Sequence, residues 1–136
     1  KINLKNTIVI ETGGMKGRKK EMIREELHNK LIDRLGVNKI HSEYGMTELL
    51  SQCYSKGDGV FSSPPWMKIK IRDLNDPLKE LSVNSTGGIN IIDLANQESC
   101  SFIATQDQGK IISKNKFEVI GRIDGSEARG CSLLLS

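Results

Sequence analysis

Hydrophobic residues recur along this chain with two different periods, and the change falls near its middle. Between Lys19 and Leu35, the residues Ile23, Leu27, Leu31 and Leu35 stand four apart, and Met22 and Ile32 widen the stripe. That spacing predicts an amphipathic helix over residues 19–35. Gly36 supplies its stop, because glycine accepts the left-handed conformation that closes many helices. Short β-branched runs flank the helix: Thr7–Thr12 (TIVIET), halted by Gly13-Gly14, and Val37–Ser42 (VNKIHS). Strand, helix and strand in that order predict a β-α-β unit.

In the second half the period drops to two. Met67, Ile69 and Ile71 alternate with Lys68, Lys70 and Arg72, as in a strand with one buried face. The runs GGINIIDLA, SCSFIATQ, GKIIS and KFEVIGRI are further short strands, and Lys114-Asn115 reads as the hairpin turn between the last two. The expected fold class is α/β: a partial β-α-β layer followed by a small antiparallel β-sheet or barrel. The composition shifts near Ser63–Trp66 (SPPW), which predicts a division into residues 1–62 and 63–136. There is no internal repeat.

Composition narrows the function classes. A chain of 136 residues has room for one modest domain, and 37% hydrophobic with 27% charged residues is ordinary for a soluble protein. A net charge of +3 and 4% aromatic residues argue against a nucleic-acid partner. No apolar run approaches the roughly 18 residues of a membrane span. The first residue is Lys1 and no signal-peptide pattern follows it, so the simplest expectation is a piece of a longer protein. Cys53, Cys100 and Cys131 are odd in number and widely spaced, which disfavours a disulfide framework. Neither His28 nor His41 stands at zinc-ligand spacing from them. A reducing cytoplasm is the expected compartment.

Two stretches carry candidate chemistry. ETGGMKGRKKE fails as a Walker loop: Gly13 to Gly17 is one residue short, and Arg18 stands where lysine belongs. Lys16, Arg18, Lys19 and Lys20 crowd the start of the expected helix, where cations oppose the helix dipole; either solvent screens them or an anion lies nearby. The second stretch is HSEYGMTE, His41 to Glu48. Tyr44 can stack on a base, and Gly45 lets the backbone approach a ligand. Thr47 can donate to a phosphate, and Glu48 can hold a hard cation such as magnesium. The plainer reading is a turn followed by a helix that carries Leu49 and Leu50 into the core.

Tyr44-Gly45-Met46-Thr47-Glu48 resembles the signature of the adenylate-forming superfamily of acyl-CoA synthetases, peptide-synthetase adenylation domains and luciferases. Three more stretches agree in order. Gly13-Gly14-Met15 looks like the superfamily's adenine-side loop. Asp107 matches its ribose-binding aspartate, although Gln106 replaces the usual preceding glycine. Gly121-Arg122-Ile123-Asp124 matches its G-R-x-D motif, in which the arginine contacts nucleotide and the aspartate is a hinge. The resemblance implies a part of the adenylate-forming large domain. It implies nucleotide binding by Gly13, Gly14, Met15, Tyr44, Gly45, Asp107 and Arg122, with Asp124 as hinge. Its implied catalytic pair is Thr47 and Glu48, with Glu48 also the metal ligand, and its cofactors are ATP and Mg2+. The superfamily's phosphate loop would lie upstream of Lys1.

The tail GRIDGSEARGCSLLLS looks like the C-terminus of the acyl-protein synthetases, the ATP-dependent fatty-acid–protein ligases of bacterial bioluminescence. That resemblance implies a fatty acid or other carboxylic acid as substrate, Cys131 as acyl acceptor and an acyl-accepting reductase as partner. Two alternatives stay open. One is a coenzyme A ligase similar to phenylacetate-CoA ligase, with Cys131 incidental. The other is a non-catalytic nucleotide-binding module. By its residues alone, Cys131 beside three leucines also fits a small buried hydrophobe.

Overall fold

The computed structural model describes Leu4, residues 6–13 and residues 22–123. Strand β1 (Ile10–Glu11), helix α1 (Arg24–Leu35) and strand β2 (His41–Tyr44) form the expected β-α-β unit, with β1 and β2 parallel. The helix starts later than residue 19. Ile23 is extended (φ −60°, ψ 147°) and caps it, and Glu25 and Glu26 occupy the first turn. Carboxylates there complement the positive end of the helix dipole, as the lysines upstream would not. Its end is as expected: Gly36 has φ 69° and its N–H donates to the Ile32 carbonyl at 2.9 Å. Leu27, Leu31, Ile32 and Leu35 are only half-buried, and His28 is the helix's buried residue.

Strand β2 begins at His41, not at Val37. Its parallel partner β1 is two residues long and reaches only His41 and Ser42. Val37 and Ile40 are buried in the connection instead. After Glu48 no helix follows, and Leu49 is buried while Leu50 is exposed. The chain turns directly into β3 (Cys53–Ser55) and β4 (Val60–Ser62). Next come β5 (Met67–Arg72), β6 (Gly87–Asp93), β7 (Phe102–Ser113) and β8 (Lys116–Arg122). Two of the expected short strands are thus one: β7 runs unbroken through FIATQDQGKIIS. Its register shifts at Gly109, where an added Cβ would lie 2.3 Å from the Glu118 carbonyl oxygen. Only glycine fits so close to a neighbouring backbone. The hairpin turn falls at Lys114–Asn115 as the sequence predicts, with Asn115 at φ 59° and Ser113 opposite Lys116.

Among the described residues, the eight strands belong to one sheet in the order β1-β2-β3-β4-β8-β7-β6-β5, with β1 and β5 at its edges. The sheet-or-barrel alternative therefore resolves to an open sheet. Every pair except β1–β2 is antiparallel. The pairing of β4 with β8 carries the sheet across the Ser63–Trp66 segment. The alternating face of β5 behaves as its pattern predicts. Met67, Ile69 and Ile71 are buried and join Ile89 and Ile91 of β6, together with Phe61, Phe117 and Leu49, in one core.

A buried polar cluster stitches the β-α-β unit. His28 Nε2 lies 3.4 Å from Glu11 Oε1 and 3.3 Å from Ser42 Oγ, and the Gly13 N–H donates to Glu11 Oε2 at 2.5 Å. Serine, histidine and glutamate together invite comparison with a hydrolytic triad. Both contacts share one ring nitrogen, and Ser42 is completely buried, so the cluster is structural. Burial pushes the Glu11 carboxyl upward, but hydrogen bonds from Ser42, Gly13 and His28, with the Arg24 charge, outweigh it and leave it below its ordinary value. A depressed carboxyl stabilises the fold above its unfolded value of about 4.3, and that contribution is lost as pH falls through the lower folded value. Melting temperatures measured from neutral to acid pH should therefore fall more steeply in the wild type than in Glu11→Gln. Parallel curves would show that Glu11 is not part of the acid sensitivity.

Candidate functional site

Parallel strands end on the same side, so β1 and β2 deliver Gly13 and Tyr44-Gly45 to one end of the sheet. Gly13 has φ 77°, a backbone that favours glycine, and an added Cβ would meet nothing within 4 Å. Gly45 is exposed, and an added Cβ there would meet only the flexible Gln52 side chain, at 3.3 Å.

Tyr44 joins two distant parts of the chain. Its hydroxyl donates to Asp107 Oδ2 at 2.7 Å, across 63 residues of sequence. Its ring meets Phe117 edge-on at 5.7 Å and Phe61 at 5.9 Å, so the ring is built into the aromatic part of the core. Contacts of this kind contribute about 0.5–1.5 kcal/mol each beyond area burial. Burial, with the Asp107 carboxylate beside it, pushes the phenol far above its usual range. The hydroxyl therefore keeps its proton and stays a donor to Asp107. The Asp107 N–H donates to Thr105 Oγ1 at 3.1 Å, and the Thr105 hydroxyl donates to the Ile89 carbonyl at 2.9 Å. Arg122 lies opposite Asp107 on β8, and its Nη2 donates to Gln106 Oε1 at 2.8 Å. Tyr44, Asp107 and Arg122, read from three separate motifs, thus come together.

Thr47 and Glu48 form the tip of a tight turn, closed by the Leu49 N–H donating to the Met46 carbonyl at 3.1 Å. Both are exposed. Behind them stands a group of residues that the sequence reading did not single out. The buried Asp93 carboxylate accepts from the Leu50 N–H at 3.2 Å, the Ser51 N–H at 2.9 Å and the Ser51 hydroxyl at 2.8 Å. Burial acts to raise its pKa, but those donors and the Ala95 N–H outweigh burial and hold it below the ordinary carboxylate range. Asn96 Nδ2 donates to the Glu48 carbonyl at 2.7 Å, and the Trp66 indole N–H donates to Ser51 Oγ at 2.9 Å. One signal was available: aspartate and asparagine at the end of the run GGINIIDLAN favour a side-chain-bonded turn.

The cysteines differ. Cys53 is buried in the core, and burial, with the nearby Asp93 charge, pushes its thiol up to about 12, which leaves it unreactive. Cys100 lies just before β7 rather than inside a strand, and it is exposed, with its thiol donating to the Phe102 carbonyl at 3.1 Å. Gly14, Met15, Asp124 and Cys131, and the lysines and arginine of residues 16–20, lie outside the described residues.

Among the described residues no helix is long and apolar enough to cross a membrane. Nor do they contain a group of three or more His, Cys, Asp and Glu side chains able to hold a metal ion. A family model described as "Acyl-protein synthetase, LuxE" matches residues 2–136. No match is found among curated proteins. Solved structures share the fold at low sequence identity. Apo MatB from Rhodopseudomonas palustris matches with a TM-score of 0.60 and 18% identity over 86% of this chain and 26% of its own. A long-chain-fatty-acid-CoA ligase from Archaeoglobus fulgidus matches with a TM-score of 0.58 and 19% identity over 85% of this chain and 28% of its own. A benzoate CoA ligase from Burkholderia xenovorans matches with a TM-score of 0.55 and 18% identity over 86% of this chain and 26% of its own. The chain thus spans about a quarter of the length of the structures it matches. Its open sheet is that part of the adenylate-forming fold.

Proposed function

The chain belongs to the acyl-protein synthetase family LuxE, and from that premise we propose that it contributes the nucleotide side of an ATP-dependent ligase. The ligase activates a fatty acid as its acyl-adenylate and transfers the acyl group to Cys131. The observation that carries this reading is the Tyr44–Asp107 hydrogen bond, which brings the Y-G-M-T-E segment to the strand that bears the ribose-site aspartate. ATP-bound MatB, with a TM-score of 0.56, supports ATP as the nucleotide.

A carboxylate is a poor electrophile because its leaving group would be oxide. Attack of the acid oxygen on the α-phosphorus of ATP forms the mixed anhydride and expels pyrophosphate. Negative charge gathers on the α-phosphate during that step, so cations and donors placed there stabilise it most. Thr47 donates to the phosphate. Asp107 accepts from the ribose hydroxyls, and Arg122 balances charge beside it. Gly13, with Gly14 and Met15, forms the loop beside adenine. Tyr44 orients Asp107, while Gly45 keeps the approach to the turn open.

Magnesium is usually held by one or two carboxylates together with substrate phosphates and water. Glu48 is a single exposed carboxylate on a tethered turn, and that donor set fits a cation shared with ATP rather than an all-protein cage. When bound, magnesium would neutralise phosphate charge. Asp124 acts as the hinge that follows Arg122. An acyl-accepting reductase is the proposed partner, and the cytoplasm the proposed compartment.

The test is isotope exchange between pyrophosphate and ATP by the full-length protein. Exchange should require a fatty acid and no coenzyme A. Exchange that proceeds without any acid, or none with any acid tried, would remove the reading.

A further inference from the structure

We infer that Asp93, the last residue of β6, and Asn96, just beyond it, are positioning residues that hold the Thr47–Glu48 tip in its reactive geometry. The inference rests on the proposed adenylation and adds residues that the motif does not contain. The tip belongs to an eight-residue connection, 45–52, between β2 and β3. Such a loop has no ladder hydrogen bonds of its own to fix it. Its entry is held by Tyr44, through Asp107 and through pairing with Cys53. Its exit is held almost entirely by one turn of a different strand pair.

That exit clamp is specific in what it grips. Asn96 takes the carbonyl of Glu48 itself, and Asp93 takes the next two free N–H groups, Leu50 and Ser51, plus the Ser51 hydroxyl. Asp93 is 0% exposed, Asn96 4% and Ser51 6%, so the clamp's own side chains, and its bonds to Ser51, are shielded from water. The clamp is itself held in place. The Ala95 N–H donates to Asp93 Oδ1 at 3.2 Å, and the Ser99 hydroxyl donates to Asn96 Oδ1 at 2.6 Å. Leu49, between the two gripped segments, is buried and blocks sliding of the backbone. A catalytic group must be held within about 0.5 Å of its productive place, and supporting hydrogen bonds provide that. A purely structural role would need only that the loop be closed, and Leu49 with the Trp66–Ser51 bond already does part of that.

The experiment uses the full-length protein and two variants, Asp93→Asn and Asn96→Ala, with Ser42→Ala as a buried polar control whose side chain contacts His28 of α1 and makes no bond to the loop. Amide hydrogen exchange of the protein without nucleotide or metal comes first. Protection at Leu50 and Ser51 should fall about tenfold in Asp93→Asn, with β6 and β7 unchanged, since each lost bond to a carboxylate is a strong one. Pyrophosphate exchange follows, below the melting temperature of each variant. For both loop variants kcat should drop roughly 10- to 100-fold with the KM for ATP nearly unchanged, the usual effect of removing outer-shell support. Ser42→Ala should lower the melting temperature without that drop. Asn96→Ala keeps the question answerable if Asp93→Asn does not fold. Variants that exchange at the wild-type rate, or whose kcat falls no further than Ser42→Ala, overturn the inference alone. A wild-type protein without acid-dependent exchange overturns the proposed function and this inference with it.

Discussion

Glu48→Gln should reduce acid-dependent pyrophosphate exchange about a hundredfold, the scale on which a single well-placed charge-stabilising group acts in a transition state. The two side chains are nearly the same size, and the position is exposed at the tip of a turn. The Glu48 carbonyl stays bonded to Asn96 whichever side chain is present. Substitutions at such surface positions usually change stability by less than about 0.5 kcal/mol. The loss should therefore appear in rate and not in melting temperature. Glutamine keeps an oxygen but loses the negative charge that holds a hard cation. Raising the magnesium concentration should recover part of the Glu48→Gln rate and little of an Asp93→Asn rate, because only the first lesion lies at the metal ligand. A Glu48→Gln protein that exchanges normally would take Glu48 out of the chemistry and weaken the adenylation reading as a whole.

The parts of the fold legible in the sequence are those decided by short-range periodicity. The strict alternation from Met67 to Arg72 has no competing explanation, and β5 obeys it residue by residue. Gly36 closes α1 because few other residues accept its φ. What the sequence hid was decided over long range. Leu49 and Leu50 read as the start of a helix, yet the donors of Leu50 and Ser51 go to Asp93, more than 40 residues away. The chain is bound there to the end of β6 and enters β3 at Cys53, which leaves no room for a helix. The same applies at β2, whose start is set by the length of its partner β1 and not by the β-branched character of Val37 and Ile40.

Site residues divide along the same line. Tyr44, Asp107 and Arg122, proposed here as site residues, each sit in a short motif, and the antiparallel register of β7 and β8 brings two of them opposite one another. Asp93, Asn96 and Ser51 belong to no such motif. Asp93 in particular sits at the end of a mostly apolar strand and looks like a turn former. Only its burial, with three donors aimed at it from the loop behind Glu48, reveals a second task.

Cys131→Ser should abolish covalent labelling of the full-length protein by radiolabelled fatty acid and ATP, while pyrophosphate exchange continues at the wild-type rate. The two steps separate because they make different bonds. Exchange requires only formation and reversal of the acyl-adenylate. Labelling requires the Cys131 sulfur to attack the acyl carbonyl: the carbon–sulfur bond forms, the carbon–oxygen bond to AMP breaks, AMP leaves with the electron pair, and the thiol proton passes to solvent. A thiol with a pKa of about 8.5 is a few per cent thiolate at neutral pH and intrinsically strong, whereas a serine hydroxyl without a base is a weak nucleophile. The other two cysteines do not compete equally. Cys53 is sealed in the core with its thiol pushed up to about 12. Cys100 is exposed, so Cys100→Ser is the necessary companion variant and should label normally. The wild-type adduct should survive acid and be released by neutral hydroxylamine, as a thioester is. Labelling that persists in Cys131→Ser and disappears in Cys100→Ser would move the acceptor to the loop before β7. Product formation that depends on added coenzyme A, with no protein labelled at all, would identify a coenzyme A ligase and leave Cys131 without a chemical role.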